Sequence, residues 1–238
     1  MSTGVPSTEI HKLFNTIAEK YDITNLVLTC GWSALWYRAF VKAILKSPPP
    51  QAMLDLCCGT GAVIQHLVRE MKKRNLPVPA IDCVDFSEKM VDQAGHRLHS
   101  LHIYPRFITA DAASIPLCDS SYDTITIGYG IRNLTEKKKA LHEAVRLLKP
   151  NGNLFILELT PPRSAFVRLF HTMYMKTAVP FIGRLLTRHS QPYQYLDHSI
   201  EHFSLPHLLH TLQEVGFSCQ PPISLSCGIA TIIQAGKI

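Results

Sequence analysis

Leu54-Asp55-Leu56-Cys57-Cys58-Gly59-Thr60-Gly61-Ala62-Val63-Ile64 joins a short apolar run to an amphipathic one through a glycine turn, and this stretch decides the fold. Residues 52–56 have the length and apolarity of a buried strand, and residues 62–73 repeat apolar side chains at helical spacing. A strand that passes directly into a helix is the first half of a β-α-β unit. Gly59 and Gly61 let the backbone come close to a ligand at the carboxyl end of the strand, where open α/β sheets bind cofactors. The third glycine of a dinucleotide G-x-G-x-x-G would fall at Ile64, so that pattern is incomplete and a pyrophosphate on the helix N-terminus is disfavoured. The competing reading is an ordinary tight turn in which Asp55 caps the helix.

Moving outward, the same rhythm continues. Strands are expected at 80–84, 106–109 and 122–127, with helices at 87–99 and 135–148. The turn Lys149-Pro150-Asn151-Gly152 precedes a strand at 153–159. After an interruption, Ser204 is placed to cap a helix that carries Leu205, Leu208, Leu209, Leu212 and Val215 on one face and ends at Gly216. Strands at 219–225 and 229–235 flank Ser226-Cys227-Gly228 as a closing antiparallel hairpin. The sum is a doubly wound α/β fold, a mainly parallel seven-stranded sheet with helices on both faces. Upstream, Ile10, Leu13, Phe14, Ile17, Ala18 and Tyr21 share one helical face. Trp32, Leu35, Trp36, Ala39, Phe40, Ala43 and Ile44 share another, which Ser47-Pro48-Pro49-Pro50 stops. Residues 1–50 therefore read as an N-terminal helical lid on a main domain at 51–238, with a Pro-interrupted helical insertion at about 160–200 before the last helix.

Composition agrees with one folded domain: 238 residues, 46% hydrophobic and 18% charged. No apolar run is long enough to span a membrane and the polar start lacks the core of a signal peptide, so a cytoplasmic location is expected. A net charge of +6 suggests an anionic partner but falls short of a dedicated nucleic-acid binder, and no nucleic acid is expected. The seven cysteines include no C-x-x-C, and they read as reduced core thiols. The histidines, His198 and His202 at helical spacing among them, lack any H-E-x-x-H or Cys/His cluster, so no metal site is expected.

Two further acids sit at strand ends. Asp85 closes the second strand, where a carboxylate accepts hydrogen bonds from ribose hydroxyls, and Asp111 follows the third, placed for an adenine amino group. Each has a competing role as a helix cap. Three successive strand-end acids with a shortened glycine turn favour an adenosyl ligand without phosphates.

At this point the chain resembles class I S-adenosylmethionine methyltransferases, in its glycine turn, the acid after strand two, Leu148-Lys149-Pro150-Asn151-Gly152 and the terminal hairpin. Four more specific stretches are similar to the C-methyltransferases of menaquinone and ubiquinone biosynthesis. They are Phe14-Asn15-Thr16-Ile17-Ala18-Glu19-Lys20-Tyr21-Asp22, Gly130-Ile131-Arg132-Asn133, Tyr193-Gln194-Tyr195-Leu196 with Ser199-Ile200, and Leu225-Ser226-Cys227-Gly228-Ile229-Ala230. The resemblance implies S-adenosyl-L-methionine as cofactor. Gly59, Thr60 and Gly61 would line its methionine part with Asp55 near the amino group, Asp85 would take the ribose, and Asp111 and Ala112 would flank the adenine. It also implies methyl transfer to a ring carbon of a polyprenyl quinol, a demethylmenaquinol or alternatively a methoxy polyprenyl benzoquinol. Arg132 and Asn133 would hold the phenolate and Tyr21 would order both ligands. Against these stand a surface salt bridge for Arg132 and a helix N-cap for Asn133. The chain departs from the family's Ser-Phe-Gly-Leu-Arg-Asn run at Gly128, and Cys58 replaces a glycine.

Residues 159–196 carry five basic and no acidic side chains among many apolar ones, a pattern suited to peripheral contact with an anionic membrane face, or equally to a lid with solvated arginines. The rest of the chain is nearly neutral. An NAD-linked oxidoreductase and a non-catalytic binding module are the readings from other classes. Oligomeric state stays open, a homodimer included.

Overall fold

The computed structural model describes residues 7–187 and 191–238. Arg188 of the insertion lies outside them, and the side chain of Arg184 is likewise not described. The chain begins with helices α1 (Ser7–Ile17), α2 (Tyr21–Leu28) and α3 (Trp32–Ile44). The alternating part follows as β1 (Ala52–Leu56), α4 (Ala62–Lys73), β2 (Ala80–Asp85), α5 (Glu88–His99), β3 (Arg106–Thr109), β4 (Tyr122–Gly128), α6 (Lys137–Leu147) and β5 (Leu148–Leu159). The chain closes with α7 (Ala165–Thr187), α8 (Gln191–Glu201), α9 (Leu205–Glu214), β6 (Phe217–Cys219), β7 (Ile223–Leu225) and β8 (Ala230–Lys237).

The sheet runs β3-β2-β1-β4-β5-β8-β6, with β7 also paired to β8. The five strands from β1 to β5 are parallel and β8 is antiparallel to β5. Alternate side chains feed two separate cores. Leu54, Leu56, Ile125, Ile127, Leu154 and Ile156 pack against α6 and α9 on one face. Met53, Cys83, Phe155, Leu157 and Ile232 meet α3 and α4 on the other. Helix α4 fits because Val63, Ile64, Leu67, Val68 and Met71 fall on one stripe and all are buried. Ile64, in place of the third glycine, is fully buried there. Ser87 caps α5 by accepting from the Met90 amide, and Ser204 caps α9 in the same way from His207.

The sheet has eight strands rather than seven, because the expected strand 219–225 is cut at Gln220-Pro221-Pro222. Two prolines offer no amide hydrogen to β8, so the segment leaves the ladder and rejoins it as β7 on the same edge. The expected turn at Lys149–Gly152 is a bulge within β5: pairing jumps from Tyr122–Leu148 to Thr124–Asn153, with Asn151 at φ 62°. The first helix breaks at a tight turn, residues 18–20, ahead of α2. In α3, Trp36, Phe40 and Ile44 enter the core shared with α4, whereas Trp32 and Leu35 are exposed, so apolar spacing alone overstated the buried stripe. The insertion is two helices, and Pro180 sits inside α7 without ending it.

Candidate active site

Strand order reverses between β1 and β4, and the turns that leave the two strands diverge there to open a cavity at their carboxyl ends. The β1–α4 turn reaches its shape through left-handed residues: Cys57 at φ 58°, Gly59 at 52° and Gly61 at 76°. A side chain at Gly61 would also press on Leu98, 3.0 Å from an added Cβ. Cys57 and Cys58 stay protonated thiols: burial and the nearby acids push Cys57 well up, and the hydrogen bond with Cys83, then burial, does the same for Cys58. Cys58 engages Cys83 rather than blocking the turn.

Gly59, Thr60, Asp85, Asp111, Ala112, Asn133 and Tyr21 all line this first cavity. Asp85 is buried, with Oδ2 accepting from the Gly59 amide at 2.8 Å and Oδ1 from the Ser87 amide at 3.0 Å. Each oxygen keeps a further lone pair for a hydroxyl. Burial raises its pKa against these hydrogen bonds. Asp111 is exposed at the rim and accepts from the Ala113 amide at 2.8 Å. Helix capping explains none of the three acids: Ser87 caps α5, Gly61 stands before α4, and no helix follows β3.

Asp55 and Gly61 are placed differently. Both lie below the lining, and Asp55 is fully buried with its Oδ1 accepting from the Thr126 hydroxyl at 2.6 Å. Its Oδ2 has no hydrogen-bond partner among the described residues. Burial, with the Asp85 charge adding to it, pushes the carboxyl up to about 7 against the Thr126 hydrogen bond.

A second cavity of about 620 Å³ adjoins the first, lined mostly by apolar residues of α2, α3, α7 and the β7–β8 turn. Tyr21, Tyr37, Ala62 and Tyr129 line both. Arg132 belongs to this second cavity. It is buried, not a surface bridge: its Nη1 donates to Glu158 at 2.5 Å and to the Tyr129 carbonyl at 3.0 Å. Glu158 also accepts from the Arg132 amide at 3.0 Å. Asn133 is not the N-cap of α6; its Nδ2 donates to the Tyr129 carbonyl at 3.2 Å, and its Oδ1 accepts from the Tyr195 hydroxyl of α8 at 3.2 Å.

The N-terminal helices are fastened by groups that spacing did not reveal. Asp22 of α2 pairs with Arg97 of α5, and both bond the Thr60 hydroxyl, at 2.9 Å and 3.1 Å. Asn15 accepts from Ser87 at 2.5 Å. Trp36 donates to Ser226 at 2.8 Å, which ties α3 to the β7–β8 turn. The four specific stretches, scattered through the chain, thus converge on the two cavities.

A family model, the ubiE/COQ5 methyltransferase family, matches residues 2–237. The chain belongs to this family. A demethylmenaquinone methyltransferase of Protochlamydia amoebophila is 37% identical over 232 residues, covering 96% of this chain and 94% of that protein. A ubiquinone/menaquinone biosynthesis C-methyltransferase of Rickettsia typhi is 32% identical, over 96% of this chain and 92% of the relative. In fold, a SAM-dependent methyltransferase structure from Thermotoga maritima superimposes with a TM-score of 0.64 at 18% identity, over 96% of this chain and 99% of that one. Membership makes the chain a methyltransferase. Among the described residues no group of His, Cys, Asp and Glu is arranged to hold a metal ion. The residues that sequence missed are Glu158, Asp22, Arg97, Tyr37 and Tyr129. Glu158 left a signal, a lone acid in the apolar run 154–159, and Asp22 closes the stretch that begins at Phe14.

Proposed function

We propose that this ubiE/COQ5-family protein methylates a ring carbon of a demethylmenaquinol-type quinol. The observation that carries the reading is the pair of cavities meeting at Tyr21, Tyr37 and Tyr129, one floored by strand-end acids and the other apolar. The first suits S-adenosylmethionine. Asp85 has lone pairs free for two ribose hydroxyls, the unpartnered Asp55 Oδ2 lies beneath the turn in need of a positive neighbour, and buried Ile64 leaves no third glycine for a pyrophosphate. When bound, the cofactor supplies an electrophilic methyl on a sulfonium. The new carbon–carbon bond forms as the sulfur–methyl bond breaks with its electron pair left on sulfur, and the acceptor gives up one proton overall.

What the chain contributes is alignment, charge and dryness. Alignment of reacting atoms alone can be worth roughly 7–11 kcal/mol. Arg132 and Asn133 are anchored on one carbonyl at the end of β4, where a phenolate oxygen would need them. Tyr21, held neutral by burial, bridges lid and both cavities. Asp111 and Ala112 edge the adenine end. The naphthoquinol is preferred over the benzoquinol because the more similar relatives carry the demethylmenaquinone name.

A lipid-tailed acceptor needs a route from a membrane. Ile23, Leu26, Val27, Trp32 and Leu35 on α2 and α3 are exposed, as are Phe166, Leu169, Phe170 and Met173 on α7, which packs against α2. Leu26 and Trp32 also line the acceptor cavity. This band supports peripheral contact. Among the described residues no helix is long and apolar enough to cross a membrane. Incubation with labelled S-adenosylmethionine and chemically reduced demethylmenaquinone should yield a labelled menaquinol by mass spectrometry, and the benzoquinol precursor a lesser product. No label in either quinol would defeat the proposal.

A further inference from the structure

At the junction of the cavities the three tyrosines are not equivalent. Tyr21 engages the Asn25 side chain, and the Tyr37 ring stacks on His66 at 5.0 Å. Tyr129 packs its ring edge-on against Tyr37 at 5.5 Å, yet its hydroxyl is buried with no hydrogen-bond partner among the described residues. A buried donor is rarely left without a partner, and one that is needs an explanation. The backbone adds a second irregularity. Tyr129 sits at φ 58°, a left-handed conformation that bulky residues seldom adopt, and it is held there by the Leu157 carbonyl at 2.7 Å and by flanking glycines. Neither glycine can be replaced freely: an added Cβ would lie 2.6 Å from Val63 at Gly128 and 2.5 Å from Cys57 at Gly130.

A second unpartnered buried donor is close in the chain, Arg132 Nε. Tyr129 and Arg132 both line the acceptor cavity, and the Tyr129 carbonyl anchors the Arg132 guanidinium through its other nitrogen. Two buried donors without a partner among the described residues, on side chains that line one cavity, suit an oxygen that carries or develops negative charge.

We propose that the Tyr129 hydroxyl donates the hydrogen bond that holds the acceptor's ring oxygen and so sets which carbon meets the methyl group. The proposal rests on the quinol methyltransferase reading and extends it to a catalytic residue. Burial pushes the Tyr129 phenol well up, so it is a proton-bearing donor at any working pH.

Tyr129→Phe removes only this oxygen. The variant should melt no lower than the wild type, because it loses an unsatisfied group, and should bind S-adenosylmethionine within about twofold. Its kcat towards reduced demethylmenaquinone should fall at least about tenfold, in line with loss of one oxyanion donor. The rising limb of its pH–rate profile should move to higher pH, because the acceptor's hydroxyl ionises less readily without the donor. Unchanged kcat and pH profile in an active, folded variant would overturn the proposal. Calorimetric titration with 1-naphthol in the presence of S-adenosylhomocysteine provides a readout independent of turnover. Affinity should weaken at least about fivefold in Tyr129→Phe, and equal affinities overturn the proposal. Absence of wild-type turnover alone would count only against the quinol reading.

Discussion

Replacing Asp55 by Asn tests whether the acid under the glycine turn is held protonated when the cofactor is absent. Asp55 is fully buried, keeps one hydrogen bond from Thr126, and has a pKa raised from 3.8 to about 7. As pH rises from 4 to 7 the unfolded chain releases this proton while the folded chain retains it. Stability due to Asp55 is therefore fully present below pH 4 and is lost as pH rises through 7. The full loss is about 4 kcal/mol, of which about 3 kcal/mol falls between pH 5 and pH 8. Asn cannot titrate. It preserves a carbonyl for Thr126 but buries an amide NH2 without acceptors, a pH-independent cost of about 1–3 kcal/mol. The stability of the wild type relative to Asp55→Asn should accordingly fall by about 3 kcal/mol between pH 5 and pH 8. Urea melts of both proteins, without ligand, across that range would measure it, and subtraction removes the slopes of the other titrating groups. A chain of this size moves about 2–4 °C in Tm per kcal/mol, so thermal scans suffice as a check. The ligand's ammonium should favour the ionised acid, so wild-type affinity for S-adenosylmethionine should climb as pH passes 7, and that of Asp55→Asn should not. Parallel stability curves for the two proteins would refute the reasoning.

Three further outcomes follow from the contacts. Arg97→Ala should raise KM for S-adenosylmethionine about three- to tenfold with kcat within twofold, and a cycle with Asp22→Ala should show a coupling of about 0.5–1 kcal/mol in ligand binding. Glu158→Gln should cost about 3–5 kcal/mol in denaturant melts by stranding the buried Arg132 charge, whereas Arg132→Met with Glu158→Leu should recover most of that stability without methyl transfer. Gly128→Ser should lose about 1–3 kcal/mol through overpacking on Val63, and Val63→Ala in the same chain should restore it, measured by thermal unfolding.

Much of the fold and part of the site could be read from order and spacing. The β1–α4 turn and the acids Asp85 and Asp111 were visible because a strand end is a place in sequence as well as in space. What spacing could not supply were contacts between elements far apart in the chain. The Asp22–Arg97 pair joins the lid to α5, and Arg132 finds Glu158 on the neighbouring strand. A sequence shows Arg132 as a lone cation, and without the family resemblance a surface salt bridge is the favoured reading, which its burial overturns. Asp55 illustrates the reverse. It stands at a strand end like the other two acids, yet it is fully buried and outside the lining of the first cavity, which sequence position does not show. In α3 the helical stripe was correct as a periodicity, yet periodicity does not say where the covering layer stops, and Trp32 and Leu35 lie beyond it.

The split of the last hairpin by Pro221-Pro222 bears on solubility. A sheet margin with free amides and carbonyls is a template for a strand from another molecule, and a protein with a broad apolar band can ill tolerate such a template. Here the outer margin consists of two three-residue strands, β6 and β7, separated by Gln220, whose amide is taken by the Gln234 carbonyl, and two prolines with no amide hydrogen to donate. The opposite margin is the four-residue β3, which begins at the exposed Arg106. Neither side offers an incoming chain a ladder of useful length, which disfavours strand addition at both margins of the sheet.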